Sequence, residues 1–201
     1  MAHGIAFARA ILKDPVATGA LAPSSRSLAR AVVAPIRFGP ETFVVEVGCG
    51  TGAITEAVFS LGLCESQYLG IELNPLMIAA LQSRFPSAAF LQGSAEHVVS
   101  ALNDRGRSGA SYVVSSLPWT LLAAENRCAI LRAIAQTLGP EGQLLSYSYL
   151  SGCFLPAWSD VTRSVREAFS SVSLKQLVWR NLPPAFTWAA SNSARFPKWS
   201  S

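Results

Sequence analysis

Apolar residues fall along this chain in two rhythms: continuous short runs, and longer stretches repeating every three or four positions. The runs predict buried strands and the repeats amphipathic helices. Thr42–Val47 reads as a continuous apolar strand broken by Glu46, followed by a glycine-rich turn and a helix over Ala53–Leu61. Tyr68–Leu73 predicts a second strand and Pro75–Phe85 its helix, with proline in the first turn, where a missing N–H costs nothing. Ala88–Leu91 predicts a third strand, before a helix from Ala95, and Ser111–Ser115 a fourth. Arg127–Leu138 predicts a helix ended by Gly139-Pro140, and Gln143–Tyr149 a fifth strand. Val161–Phe169, Ser171–Trp179 and Ala185–Ala189 then read helix, strand, strand. Such alternation predicts an α/β fold with a mostly parallel, doubly wound sheet. The short Asn181-Leu182-Pro183-Pro184 connection adds an antiparallel hairpin at one edge.

Ahead of the alternation lies a helical segment in which Ile5, Ala8, Ile11 and Leu12 share a stripe, flanked by Phe7 and opposed by His3, Arg9 and Lys13. Lys13-Asp14-Pro15 ends it. Thr18–Pro23 predicts a loop, and Ser24 the N-cap of a second helix running to about Pro35. The chain thus divides into an N-terminal amphipathic extension with a loop, residues 1–35, and a main domain, residues 36–201.

Charge sharpens that division. Residues 1–40 hold five basic side chains against Asp14, and 5 − 1 accounts for the whole net charge of +4. The remaining residues are neutral, with eleven basic and eleven acidic side chains. A basic amphipathic leader before a neutral body has the composition of an interfacial anchor, so residues 1–13 are expected on an anionic membrane surface. A solvated helix face accounts for the same charges. The neutral body argues against nucleic acid as the partner. With 50% hydrophobic and 14% charged residues in 201, disorder is excluded. No apolar run reaches the ~18 residues of a membrane span, and the N-terminus lacks the core and cleavage site of a secretory signal. Cys49, Cys64, Cys128 and Cys153 form no C-x-x-C pair and lie apart from His3 and His97, so no metal is expected, and reduced thiols suit a cytoplasmic protein.

The chemistry concentrates in Val45-Glu46-Val47-Gly48-Cys49-Gly50-Thr51-Gly52, a strand end that opens a helix. Glycine lets backbone approach a ligand with no Cβ in the way. Glu72, twenty residues beyond Gly52, ends the next strand, where a carboxylate reaches both hydroxyls of a ribose. The G-x-G-x-G spacing, with an acid two residues earlier, resembles motif I of class I S-adenosylmethionine-dependent methyltransferases. That resemblance implies a Rossmann-like fold, S-adenosylmethionine as cofactor, and cofactor contacts from Glu46, Gly48, Gly50, Gly52, Glu72, Leu73, Ser94, Ala95 and Ser116. Ser94 stands where the family often has Asp at the adenine amine.

The fourth strand ends in Ser116-Leu117-Pro118-Trp119, which resembles the [DNS]-P-P-[YFW] motif of amine methyltransferases with its first proline lost. By that likeness Leu117, Pro118 and Trp119 bind substrate. Two longer segments, Thr18–Arg30 and Val178–Ala185, are similar to bacterial phospholipid N-methyltransferases, relatives of the rRNA adenine dimethyltransferases. The resemblance spans nearly the whole chain. It implies stepwise methylation of phosphatidylethanolamine toward phosphatidylcholine, on the inner face of the plasma membrane, with the loop bearing Thr18 closing over the cofactor. Two other readings stay open, a soluble small-molecule amine methyltransferase and an rRNA adenine methyltransferase. Strand alternation puts Tyr147 and Tyr149 on one side, and Tyr147 is the expected catalytic residue, binding the amine or relaying its proton. Trp119 and Trp158 are expected to wall the methylated product by cation–π contact, and Arg180 to meet a lipid phosphate.

Overall fold

In the computed structural model, which describes residues 25–192, the apolar runs become a seven-stranded sheet with helices on both faces. Its strands are β1 (Val44–Val47), β2 (Tyr68–Glu72), β3 (Ala89–Gln92), β4 (Ala110–Ser115), β5 (Leu138–Tyr149), β6 (Ser171–Val178) and β7 (Ala185–Ser191). The described helices are α1 (Arg26–Val33), α2 (Ala53–Ser60), α3 (Pro75–Arg84), α4 (Val98–Asn103), α5 (Ala124–Thr137) and α6 (Ala157–Ala168). The strand order is β3-β2-β1-β4-β5-β7-β6. The first five strands are parallel, and β7 lies antiparallel between β5 and β6. The expected edge hairpin is therefore present, with β7 tucked inward and β6 outermost.

β1 is buried along its whole length because both its faces are covered. Val45 and Val47 join Leu69, Ile71, Val113 and Leu144 beneath α4, α5 and α6. Val44, Val114 and Leu145 face the other way, toward Leu28 and Val32 of α1 and Ile54 and Val58 of α2. The helix at the end of the predicted extension is thus part of the main core. Its cap is Ser25, whose Oγ accepts from the Leu28 N–H at 3.2 Å; the expected cap, Ser24, lies outside the described residues. So do the leader helix, residues 1–13, and Thr18 with its loop.

Several element ends depart from expectation, among them α6, which begins at Ala157 and not at the expected Val161. Helix α5 starts at Ala124 and stops at Thr137, and Leu138-Gly139-Pro140 already belongs to β5, which pairs through an irregularity between Ala110 and Tyr112 of β4. Proline is tolerated at the beginning of a strand, where its missing N–H breaks no regular ladder. The helix expected from Ala95 begins instead as a 3-10 turn, Ala95–His97, capped by Ser94.

The two segments with the more specific family likeness meet in space. Asn181, nearly fully buried on the β6–β7 loop, accepts from the Ser25 N–H at 3.2 Å and donates from Nδ2 to the Pro183 carbonyl at 2.8 Å. One amide thus fixes both the loop and the start of α1. Asn181→Ala leaves those backbone groups without their partner, and the expected loss is about 1–3 kcal/mol of folding free energy, read by urea unfolding.

Candidate active site

The carboxyl ends of the parallel strands form one rim of the sheet, the edge at which open α/β sheets take their ligands. There β1 passes into α2 through the glycine turn. Gly48, Gly50 and Gly52 have φ of 78°, 50° and 82°, a left-handed path that other residues seldom follow. Neighbouring β2 closes the turn, with the Gly48 N–H donating to the Ile71 carbonyl at 2.8 Å and the Gly50 N–H to Glu72 Oε2 at 2.9 Å. Glu72 Oε1 accepts from the Asn74 N–H at 2.9 Å. Each carboxylate oxygen has a further lone pair, so Glu72 can take two ribose hydroxyls while still holding the backbone.

The glycines have different tasks. A Cβ on Gly52 falls 2.9 Å from Leu81 Cδ2 and 3.0 Å from Phe85 Cε2, so this glycine lets α3 pack against the turn. A Cβ on Gly50 meets no other protein atom nearer than the Gly48 oxygen at 4.0 Å. The chain keeps Gly50 bare without needing the room itself, which is the cradle expected beneath a bound cofactor. With Glu72 beside it, the residues present fit S-adenosylmethionine.

Glu46 lies under this turn and not in its mouth. Its side chain is fully buried, and Oε2 accepts from Tyr68 Oη at 2.6 Å and from Thr55 Oγ1 at 2.8 Å. Burial raises its carboxyl from 4.5 to about 7, against the opposing pull of the Tyr68 and Thr55 hydrogen bonds, with a smaller push from Glu72. Among the described residues Oε1 has no partner. Cys49 stands 3.8 Å from Tyr68 Oη, its thiol held well up by burial and then by Glu46. The expectation that Glu46 contacts cofactor is therefore corrected. Its carboxyl points inward along β1, toward α2 and β2, and braces the turn from below.

Across the rim, Ser115 of β4 is level with Val47 of β1 and Ser146 of β5, which places Ser116 and Tyr147 one residue beyond these levels. Leu117 lies over the turn, 3.0 Å from a Cβ built on Gly48. The Leu117 and Pro118 carbonyls accept from the Trp119 and Leu121 N–H groups, leaving one lone pair each unused by these bonds. Trp119 departs from its expected role. Only 2% exposed, its indole N–H donates to Ser146 Oγ at 3.0 Å and its ring lies 6.4 Å from that of Trp188. It is a core residue anchoring the strand-to-loop turn, because its side chain points inward under α5. Trp158 packs edge-on against Phe186 at 5.8 Å. Ser94 Oγ receives the Glu96 N–H at 3.4 Å, and Ala95 is buried in the core, so neither side chain points openly into the rim. Leu73 and Arg180 are exposed.

Tyr147 and Tyr149 share the α1 face as alternation predicts, with ring centroids 5.7 Å apart. Burial raises the Tyr149 phenol far above its ordinary range, helped by Tyr147 and the hydrogen bond between them. Tyr149 therefore stays protonated and orients Tyr147. The pattern missed Thr55, Tyr68, Ser146 and Asn181. A polar residue at an apolar-face position of its element, as at Tyr68 beside Leu69 and Ile71, is the signal that marks such buried brackets.

Two outcomes test this arrangement. Gly50→Ala is expected to cost only about 1 kcal/mol of stability, for its left-handed φ, while weakening S-adenosylmethionine at least tenfold by titration calorimetry. Gly52→Ala loses more stability, since α3 must shift. For Glu46, the folded carboxyl titrates above its unfolded value of 4.5, so its stabilisation is full below pH 4.5 and disappears as pH rises through about 7. Relative to Glu46→Gln, the wild type should lose about 3 kcal/mol of unfolding free energy across that window, measured by denaturant unfolding at several pH values.

Comparison with known proteins agrees with the geometry. A family model described as a methyltransferase domain matches residues 44–142. An ornithine lipid N-methyltransferase from Singulisphaera acidiphila is 29% identical over 182 residues, covering 89% of this chain and 91% of the relative. Among solved structures, a glycopeptide N-methyltransferase complexed with S-adenosylmethionine superposes with a TM-score of 0.64 at 16% identity, over 88% of this chain and 96% of its own. A TehB-like S-adenosylmethionine-dependent methyltransferase from Corynebacterium glutamicum does so with 0.60 at 18%, over 94% and 98%. The methyltransferase-domain likeness over residues 44–142, the strand order, the bare glycine cradle and Glu72 all agree with S-adenosylmethionine as the cofactor.

Proposed function

We propose that this chain is an N-methyltransferase acting on the amine head group of a lipid at a membrane surface. The observation that carries the reading is the likeness to the ornithine lipid N-methyltransferase across nearly the full length of both chains. An ornithine lipid and phosphatidylethanolamine both present an amine carried on acyl chains. Phosphatidylethanolamine and its methylated forms are the specific substrates proposed, with the protein peripheral to the inner face of the plasma membrane and residues 1–13 as an anchor.

The cofactor supplies a methyl group activated by its sulfonium. The protein must deliver a neutral amine in line with it and tolerate the positive charge that grows on nitrogen. Acceptors at the rim do this. Ser116 Oγ and the free lone pairs of the Leu117 and Pro118 carbonyls can receive amine N–H groups, which aims the nitrogen lone pair. Tyr147, oriented by Tyr149, receives the remaining N–H. No histidine or acid flanks Ser116 in the sequence, so proton removal falls to Tyr147 and solvent.

Full-length protein incubated with S-adenosylmethionine and vesicles of phosphatidylethanolamine or ornithine lipid is expected to yield methylated lipid by mass spectrometry. Soluble amines and rRNA should stay unmodified, and methylation of either in preference to lipid overturns the reading. Tyr147→Phe should lower kcat by at least tenfold with cofactor affinity unchanged, because the ring still packs on Tyr149 while the hydroxyl is lost.

A further inference from the structure

The carboxyl rim carries the most exposed large apolar side chains among the described residues. Phe154 is 89% exposed, Leu182 83%, Leu76 71% and Trp179 68%. Phe154 lies in the segment after β5, Trp179 and Leu182 in the β6–β7 loop, and Leu76 in the first turn of α3 after β2. Since β6 runs in the direction of β5, all four positions fall on the rim that holds the glycine turn. By contrast, the exposed Phe38 and Leu61 belong to the opposite edge and are only 41% exposed each. Three of the four, Phe154, Trp179 and Leu182, lie on adjoining loops at the β5–β6 end of this rim, and an exposed apolar patch of that kind marks an interaction site.

The two loops after β5 and β6 form one surface. The Leu150 N–H donates to the Pro184 carbonyl at 2.9 Å, joining the segment 150–158 to the loop 179–184. These fifteen residues contain Arg180 as their sole charge and no acid. The Asn181 bond to Ser25 brings the start of α1, with the exposed Arg26, to the same place. Exposed aliphatic and phenyl tips, a tryptophan and flanking arginines make up the composition that settles at a bilayer interface. The apolar groups enter the acyl boundary, the indole sits at head-group level, and each cation attracts anionic lipid.

We infer that the rim formed by Phe154, Leu155, Trp179 and Leu182, flanked by Arg26 and Arg180, is a membrane-docking surface. It turns the rim that holds the cofactor turn toward the bilayer, so that a lipid amine reaches the site while its acyl chains stay in the membrane. This rests on the lipid reading above and adds a second attachment, separate from residues 1–13.

The test uses full-length protein and vesicles of phosphatidylglycerol and phosphatidylcholine, with no methyl transfer involved. Brominated acyl chains should quench tryptophan fluorescence on binding, and Trp179→Phe should remove most of that quenching. Phe154→Ser with Leu182→Ser should weaken vesicle binding at least tenfold, with cofactor affinity and thermal stability retained because both side chains are exposed. Activity on a short-chain, monomeric lipid amine should stay unchanged in that variant. Wild-type quenching in the double variant, or quenching indifferent to Trp179, overturns the surface, as does binding that depends on residues 1–13 alone. Failure to methylate any lipid amine, short-chain or vesicular, would instead defeat the proposed function, and the quenching result still decides the docking surface by itself.

Discussion

A carboxyl group sealed from water beneath three left-handed glycines is the constraint on which the rest of this structure depends. Glu46 draws a hydroxyl from α2 and another from β2 onto a single oxygen, so three elements converge on one atom. Above that junction the turn can spare its side chains, because its shape is set from below. Glu72 then closes the turn from the side. Two glutamates thus stand on neighbouring strands with opposite duties, decided by environment alone. The buried one is driven toward its neutral form and braces, while the half-exposed one presents its oxygens outward.

Much of this is legible in the sequence, and what is not has a common cause. The strands are readable because a strand covered on both faces must be largely apolar, and β1, β2 and β4 are so apart from Glu46, Glu72, Ser111 and Ser115. The glycine turn and Glu72 are readable because a left-handed path and a strand-tip acid demand particular residue types at fixed spacing. Strand order is not readable, since nothing local in Ser171–Val178 or Ala185–Ser191 says which will pair with β5. Side-chain direction at turns is equally hidden. Trp119 looks like a stacking residue by position, but only the tertiary partner Ser146, twenty-seven residues away, turns its indole inward. Glu46 misleads for the same reason, because its partners Thr55 and Tyr68 come from two other elements.

Polarity is divided across the molecule in a way that suits work at an interface. Net charge is confined to the first forty residues, while the rim loops are almost uncharged. On the proposed membrane reading, long-range attraction and short-range holding would fall to different parts of the chain, the former sensitive to salt and the latter to apolar area.

The amide of Asn181 gives that division a geometric meaning. By gripping Ser25, it fixes the first described residue, and so the point at which residues 1–24 join it, beside the rim proposed for docking. Any contact those residues make with a bilayer would then be tethered to the contact proposed for the loops, so that the second binding event becomes intramolecular. On the proposed membrane reading, two attachments that are each weak enough to release would multiply into a persistent one. In that reading the bond between an asparagine and a backbone N–H is a valency device, one that would turn a pair of marginal anchors into a bivalent one.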